Sequence, residues 1–180
     1  MVELQLLLHW LLCYLGSYFK VFNMDKISKH ISYKEATKSY TATKFNIDNT
    51  PDSKTIKRMK KVANKIFEPL RTFYKVPIAV VSFYRSPKLN DKIGGSDSSQ
   101  HVTGEAIDID ADVYRSITNK QIFDFILHST RFDQLISEFP DDKGEPEWVH
   151  VSYDYNEDNR HEILVAYKED GYTKYKYYEG

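Results

Sequence analysis

SQHVTGEAIDID, residues 99–110, changes character halfway along. Its first half is polar and ends at Gly104, a residue that permits a tight backbone approach or left-handed angles. Its second half reads as a strand over Glu105–Ala111, in which Ala106, Ile107 and Ile109 mix with Asp108 and Asp110. A carboxylate on a mostly buried strand is costly unless something pairs with it, so Asp108 calls for a partner. His101 lies seven residues before it, where the loop turns into the strand. A second histidine, His150, sits between Val149 and Val151 in EPEWVHVSY, residues 145–153, whose Trp148–Tyr153 portion also reads as a strand.

Two imidazoles and one carboxylate are a common zinc set that leaves a fourth position for water. The lone cysteine, Cys13, excludes an intrachain disulfide and a Cys-rich cage, so any metal must be held by His, Asp and Glu. His101, Asp108 and His150 are therefore the candidate ligands of one Zn2+ ion. Asp110 and Asp112 share the face of Asp108 by strand alternation and are the alternatives, although a role supporting the ligands, or in solvent, suits them better. A water on such an ion needs a general base, and Glu147, three residues before His150, is the candidate. Glu145, Asp141 and Asp142 compete with it and read as turn charges. Arg85, ending the strand Ile78–Tyr84, is the candidate cation for a developing oxyanion or a peptide carboxylate, with a plain ion pair as the bland alternative. Ser99 and Gln100 are candidate substrate-side hydrogen-bonding groups.

The rest of the chain supplies a scaffold. With 180 residues, 41% of them hydrophobic, and 14 Tyr and 10 Phe, it is too apolar for disorder and long enough for one buried core. A formal net charge of −1 leaves no global basic field, which argues against nucleic-acid binding. Ser32 and Glu35 form a capping-box pair for a short helix, Tyr33–Lys38. Thr41–Thr50 reads as a polar connection. Thr50 as N-cap and Pro51 in the first turn open a long helix whose Ile56, Met59, Ala63, Ile66, Phe67, Leu70 and Phe73 recur on one face. Thr118-Asn119 starts another helix through about His128. Phe132–Glu138 reads as a strand, and His161–Tyr167 with Tyr172–Tyr178 as a hairpin around Asp170-Gly171. Helices first and then mostly strands predict an α+β fold, a single small domain with an antiparallel sheet.

Residues 1–23 are different in kind, apolar from Leu4 to Phe22 with few breaks. The segment reads as an uncleaved anchor, a signal peptide or the product of a misplaced start codon, and the domain proper as 24–180. Membrane contact is expected only if that segment is retained.

The two stretches together resemble the zinc D-alanyl-D-alanine carboxypeptidases and their dipeptidase and phage L,D-endopeptidase relatives. Residues 99–108 fit S-x-H-x-x-G-x-A-x-D through Ser99, His101, Gly104, Ala106 and Asp108, and Glu147–His150 fits E-x-x-H. SFYRSPKLN, residues 82–90, resembles the family segment around a substrate-binding arginine, and FDQLISE, residues 132–138, a family strand beside the active site. The resemblance implies zinc ligands His101, Asp108 and His150, base Glu147 and substrate contact by Arg85. It also implies a central antiparallel sheet carrying the metal with helices packed on one side, and hydrolysis of amide bonds in peptidoglycan stem peptides at the cell envelope or outside the cell; a monomer is expected. A phage-type endopeptidase cutting L-Ala–D-Glu and a non-hydrolytic zinc domain of a phage tail are the alternative expectations.

Overall fold

The computed structural model describes residues 26–179; the expectations for 1–23 lie outside them. The helical part comes first. Helix α1, Tyr33–Thr37, starts where Ser32 Oγ accepts the Glu35 amide. Helix α2, Tyr40–Lys44, stands where a polar connection was expected. Its signal is a cap alone, Ser39 Oγ accepting the Ala42 amide, with only Ala42 buried, so it has no apolar periodicity to detect. Helix α3, Ser53–Val62, is capped by Asp52 rather than Thr50, because the Asp52 carboxylate accepts the Thr55 amide at 2.7 Å.

Helix α3 runs through a π-helical turn, Ala63–Phe67, into α4, Glu68–Tyr74. Pro69 has no N–H to give to the preceding turn, and the wider turn accommodates it. The extra residue rotates the buried face. Met59, Val62, Ala63, Ile66, Phe67 and Leu70 are buried, whereas Phe73, expected on the same face, is 64% exposed and packs edge-on against Tyr74.

Six strands follow: β1, Ala79–Ser82; β2, Ala106–Asp110; β3, Gln134–Glu138; β4, Trp148–Ser152; β5, Glu162–Glu169; and β6, Tyr172–Tyr177. Their spatial order is β1-β2-β4-β3-β5-β6. Every pair is antiparallel except β3 with β5, so the sheet is mixed rather than antiparallel throughout. The reason lies in the connection after β4. It crosses the start of β3, anchored by Asp133, whose carbonyl accepts the Glu162 amide and whose carboxylate accepts the Arg160 amide. The chain thus arrives on the far side of β3. Asp170 and Gly171, both at positive φ, close β5 onto β6 in a two-residue turn. Short helices α5, Pro87–Lys92, and α6, Gln100–Thr103, lie between β1 and β2; α7, Asn119–Ser129, lies between β2 and β3, with a complete Thr118–Gln121 capping box.

Strand alternation gives the sheet two chemically distinct faces. Ile107, Ile109, Leu135, Val149 and Val151 join the core with α3, the π-helical turn, α4 and α7. On the opposite face the pairing register runs Ser82, Asp108, His150, Ile136, Leu164 and Tyr177 in one row across all six strands. A bulge at Val81 turns Ser82 onto that face.

Gly104 joins the two layers. It closes α6 in the left-handed region at φ +76°, and a Cβ built on it would lie 2.8 Å from both Met59 Cγ and Thr55 Cγ2 of α3. We expect Gly104→Ala to destabilise the fold by about 1–3 kcal/mol, read as a lower urea midpoint at unchanged slope.

Candidate metal centre

The row across the sheet places Asp108 directly opposite His150 on β2 and β4, and α6 lays His101 over them. His101 Nε2 lies 3.1 Å from Asp108 Oδ1 and 3.2 Å from His150 Nδ1, and His150 Nδ1 lies 2.8 Å from Asp108 Oδ1. The three sequence-predicted ligands therefore converge, their donor atoms all within 4.8 Å of one another.

The proton inventory shows what this cluster fits. The His101 Nδ1–H donates to the Phe83 carbonyl at 2.6 Å, and a carbonyl can only accept. The Nε2 of the neutral ring is thus left with a bare lone pair aimed inward. Burial, outweighing the pull of Asp108, lowers the His101 pKa and keeps the ring neutral. Burial alone would raise the Asp108 pKa, but the two imidazoles facing its carboxylate hold it far below the usual carboxylate range. Two electron-rich atoms and one imidazole face each other with at most one proton between them. A divalent cation suits that donor set, and the N, N, O composition is that of a catalytic zinc site with an open position.

Asp108 is fixed from outside. Its Oδ2 accepts from Arg85 NH2 at 2.6 Å, while Arg85 Nε donates to Ser82 Oγ at 2.9 Å. Arg85, expected to meet substrate, thus has two of its nitrogens committed to orienting the carboxylate; NH1 has no partner among the described residues. Gln100 donates to Asp133 Oδ2 at 2.9 Å, and Ser99 is the N-cap residue of α6. Both line the cavity above the triad, as do Arg85, Glu138, Trp148, Lys168 and Tyr175. The cavity measures about 920 Å³, near the upper end of ligand sites. Asp110 and Asp112 turn away, to the Asn119 amide.

Glu147 is not brought to the triad in the same way. It is exposed and does not line the cavity. Its backbone continues the strand pairing, the amide donating to the Glu138 carbonyl at 2.8 Å and the carbonyl accepting from the buried Asn119 amide at 2.9 Å. Glu138 is the carboxylate that sequence reading missed. It is 7% exposed, and burial, partly offset by the positive field of His150, pushes its pKa up to about 7. The signal was present in FDQLISE: Glu138 falls two and four residues after Ile136 and Gln134, on the face that β3 turns to the site.

Two outcomes follow from these contacts. His101→Ala is expected to abolish stoichiometric zinc binding, measured by metal analysis of the purified protein, with His150→Ala behaving alike. Asp133 is held at about 2: burial opposes ionisation, but the Arg160 and Gln100 hydrogen bonds outweigh it. A carboxylate whose folded pKa is depressed stabilises the fold above its unfolded pKa and loses that effect as pH falls through the folded value. Wild type should therefore melt above Asp133→Asn at pH 7, and the gap should close between about pH 4 and pH 2 in paired thermal melts.

Compared with known families, residues 29–152 match the model described as Peptidase M15. A search of curated proteins finds no match to the chain. The matched span runs from before α1 to the end of β4 and includes all three converging residues. It covers well over half of the 180 residues, and the chain belongs to the Peptidase M15 family of metallopeptidases.

Proposed function

We propose that this protein hydrolyses an amide bond in bacterial cell-wall stem peptides, acting as a D-alanyl-D-alanine carboxypeptidase with one zinc ion held by His101, Asp108 and His150. The observation that carries the reading is the convergence of those three donors on the floor of a cavity large enough for a peptide. Zinc bound there would supply a Lewis acid for the scissile carbonyl and bring the pKa of the attacking water near 7.

The chain's own residues do the rest. The Phe83 carbonyl and Arg85 fix the direction of His101 and Asp108, so the donor set is preorganised before substrate arrives. Arg85 NH1, with Lys168 further along the cavity wall, provides positive charge for a terminal carboxylate or the developing oxyanion. Ser99 and Gln100 offer hydrogen bonds to the peptide backbone. A carboxylate must carry the proton from water to the leaving amine; the E-x-x-H spacing nominates Glu147, and the cavity wall offers Glu138.

The size of the cavity also favours a second reading, an endopeptidase with substrate residues on both sides of the cut, such as L-Ala–D-Glu. Mass spectrometry of stem peptides incubated with the zinc-loaded protein separates these. Release of free D-Ala from peptides ending in D-Ala-D-Ala, lost with chelator and restored by zinc, is the expected result. Internal cleavage selects the endopeptidase, and intact peptides under every condition would leave a non-hydrolytic zinc module.

A further inference from the structure

Among the polar side chains that line the cavity near the triad, most are already committed. Asp108 is held by Arg85 and the two histidines, and Asp133 by Arg160 and Gln100. Glu138 is not so committed. It is 93% buried, and its carboxylate has neither a hydrogen-bond nor an ion-pair partner among the described residues. Burying an unpaired carboxylate destabilises a fold. Its position does have a use. Glu138 pairs with Trp148, two residues from His150 on the same strand face. It is therefore a diagonal cross-strand neighbour of His150, roughly 7 Å away between backbones and within reach of a long side chain. Glu138 lines the cavity that lies over the triad. Arg85, Lys168 and Tyr175 are the other charged or titratable groups near it, and none of them bonds to it.

We propose that Glu138, not Glu147, is the catalytic carboxylate of proton transfer, an assignment that rests on the hydrolase reading above. Glu138 takes a proton from the attacking water as the new C–O bond forms, then gives the same proton to the amide nitrogen as the C–N bond breaks. The products are a carboxylic acid and an amine, and Glu138 ends as it began, ionised and ready for a second turnover.

The test compares Glu138→Gln, Glu138→Ala and Glu147→Gln with wild type as full-length, zinc-loaded proteins. Zinc content, melting temperature and stem-peptide hydrolysis are read for each. Glu138→Gln should keep its zinc and its melting temperature while kcat/KM falls roughly 10²–10⁴-fold. Glu138→Ala should fall likewise and regain activity in proportion to added formate, a small carboxylate that can enter the vacated space. A residue that only shaped the fold would show no such rescue. Glu147→Gln should lose far less activity than Glu138→Gln. Near-normal hydrolysis by the Glu138 variants overturns the assignment, as does loss of zinc from Glu138→Gln, which would make Glu138 a ligand. A zinc-replete but inactive Glu147→Gln returns the role to Glu147. If wild type itself leaves every stem peptide intact, the hydrolase reading fails and this assignment with it; an active wild type beside an active Glu138→Gln sinks this assignment alone.

Discussion

A single buried carboxylate organises this molecule. Asp108 lies in the middle of β2 at 5% exposure, in a strand flanked by core residues on its other face. Left alone there it would be among the most unfavourable groups in the fold. Its two oxygens divide the work of making it tolerable. One faces outward to the Arg85 guanidinium, and the other faces the two imidazoles. Everything that approaches Asp108 must therefore be held in a definite direction, and the local structure does this at each point. The bulge at Val81 sets Ser82 under Arg85, the one-turn helix α6 lowers His101, and the β2–β4 register brings His150 directly opposite.

The same constraint accounts for the glycine that closes α6. His101 can come down onto the sheet only if the chain reverses immediately afterward, and the reversal takes place against the side chains of Thr55 and Met59. The helical layer and the candidate metal centre are thus joined through one residue without a side chain. The π-helical turn in the same long helix is a compromise of another kind. It absorbs Pro69, and as a result the following turn presents Phe73 to solvent while Leu70 stays in the core.

Much of this was legible in the sequence because it depends on local pattern. Ser32 and Thr118 announce their helices through side-chain capping, and the patterns in 105–111 and 148–153 mark the two strands that carry Asp108 and His150. The converging trio was legible because a histidine and an aspartate embedded in apolar strands are costly there unless a cation or a charged partner holds them. Long-range features were not. No local pattern says that β5 inserts beside β3 in parallel, since that depends on a crossing connection pinned by Asp133. Phe73 was misplaced because strict 3.6-residue counting has no knowledge of a wider turn. Glu138 was passed over because a glutamate at the end of a strand, followed by Phe139-Pro140, looks like an exposed end until the pairing with β4 and the cover of β5 are known.

The six-strand row has an evolutionary corollary. The three converging donors belong to interior strands, locked between neighbours on both flanks, and to the short helix above them. The far rim of the cavity is built instead by the terminal ribbon β5–β6, through Lys168, Thr173 and Tyr175. Among the described residues that ribbon has one free flank, and it ends in a tight two-residue reversal, so its length and side chains can change with little effect on the floor of the cavity. Chemistry and appetite are thereby written on separate parts of one sheet, and relatives can diverge in what they accept while preserving how they cut.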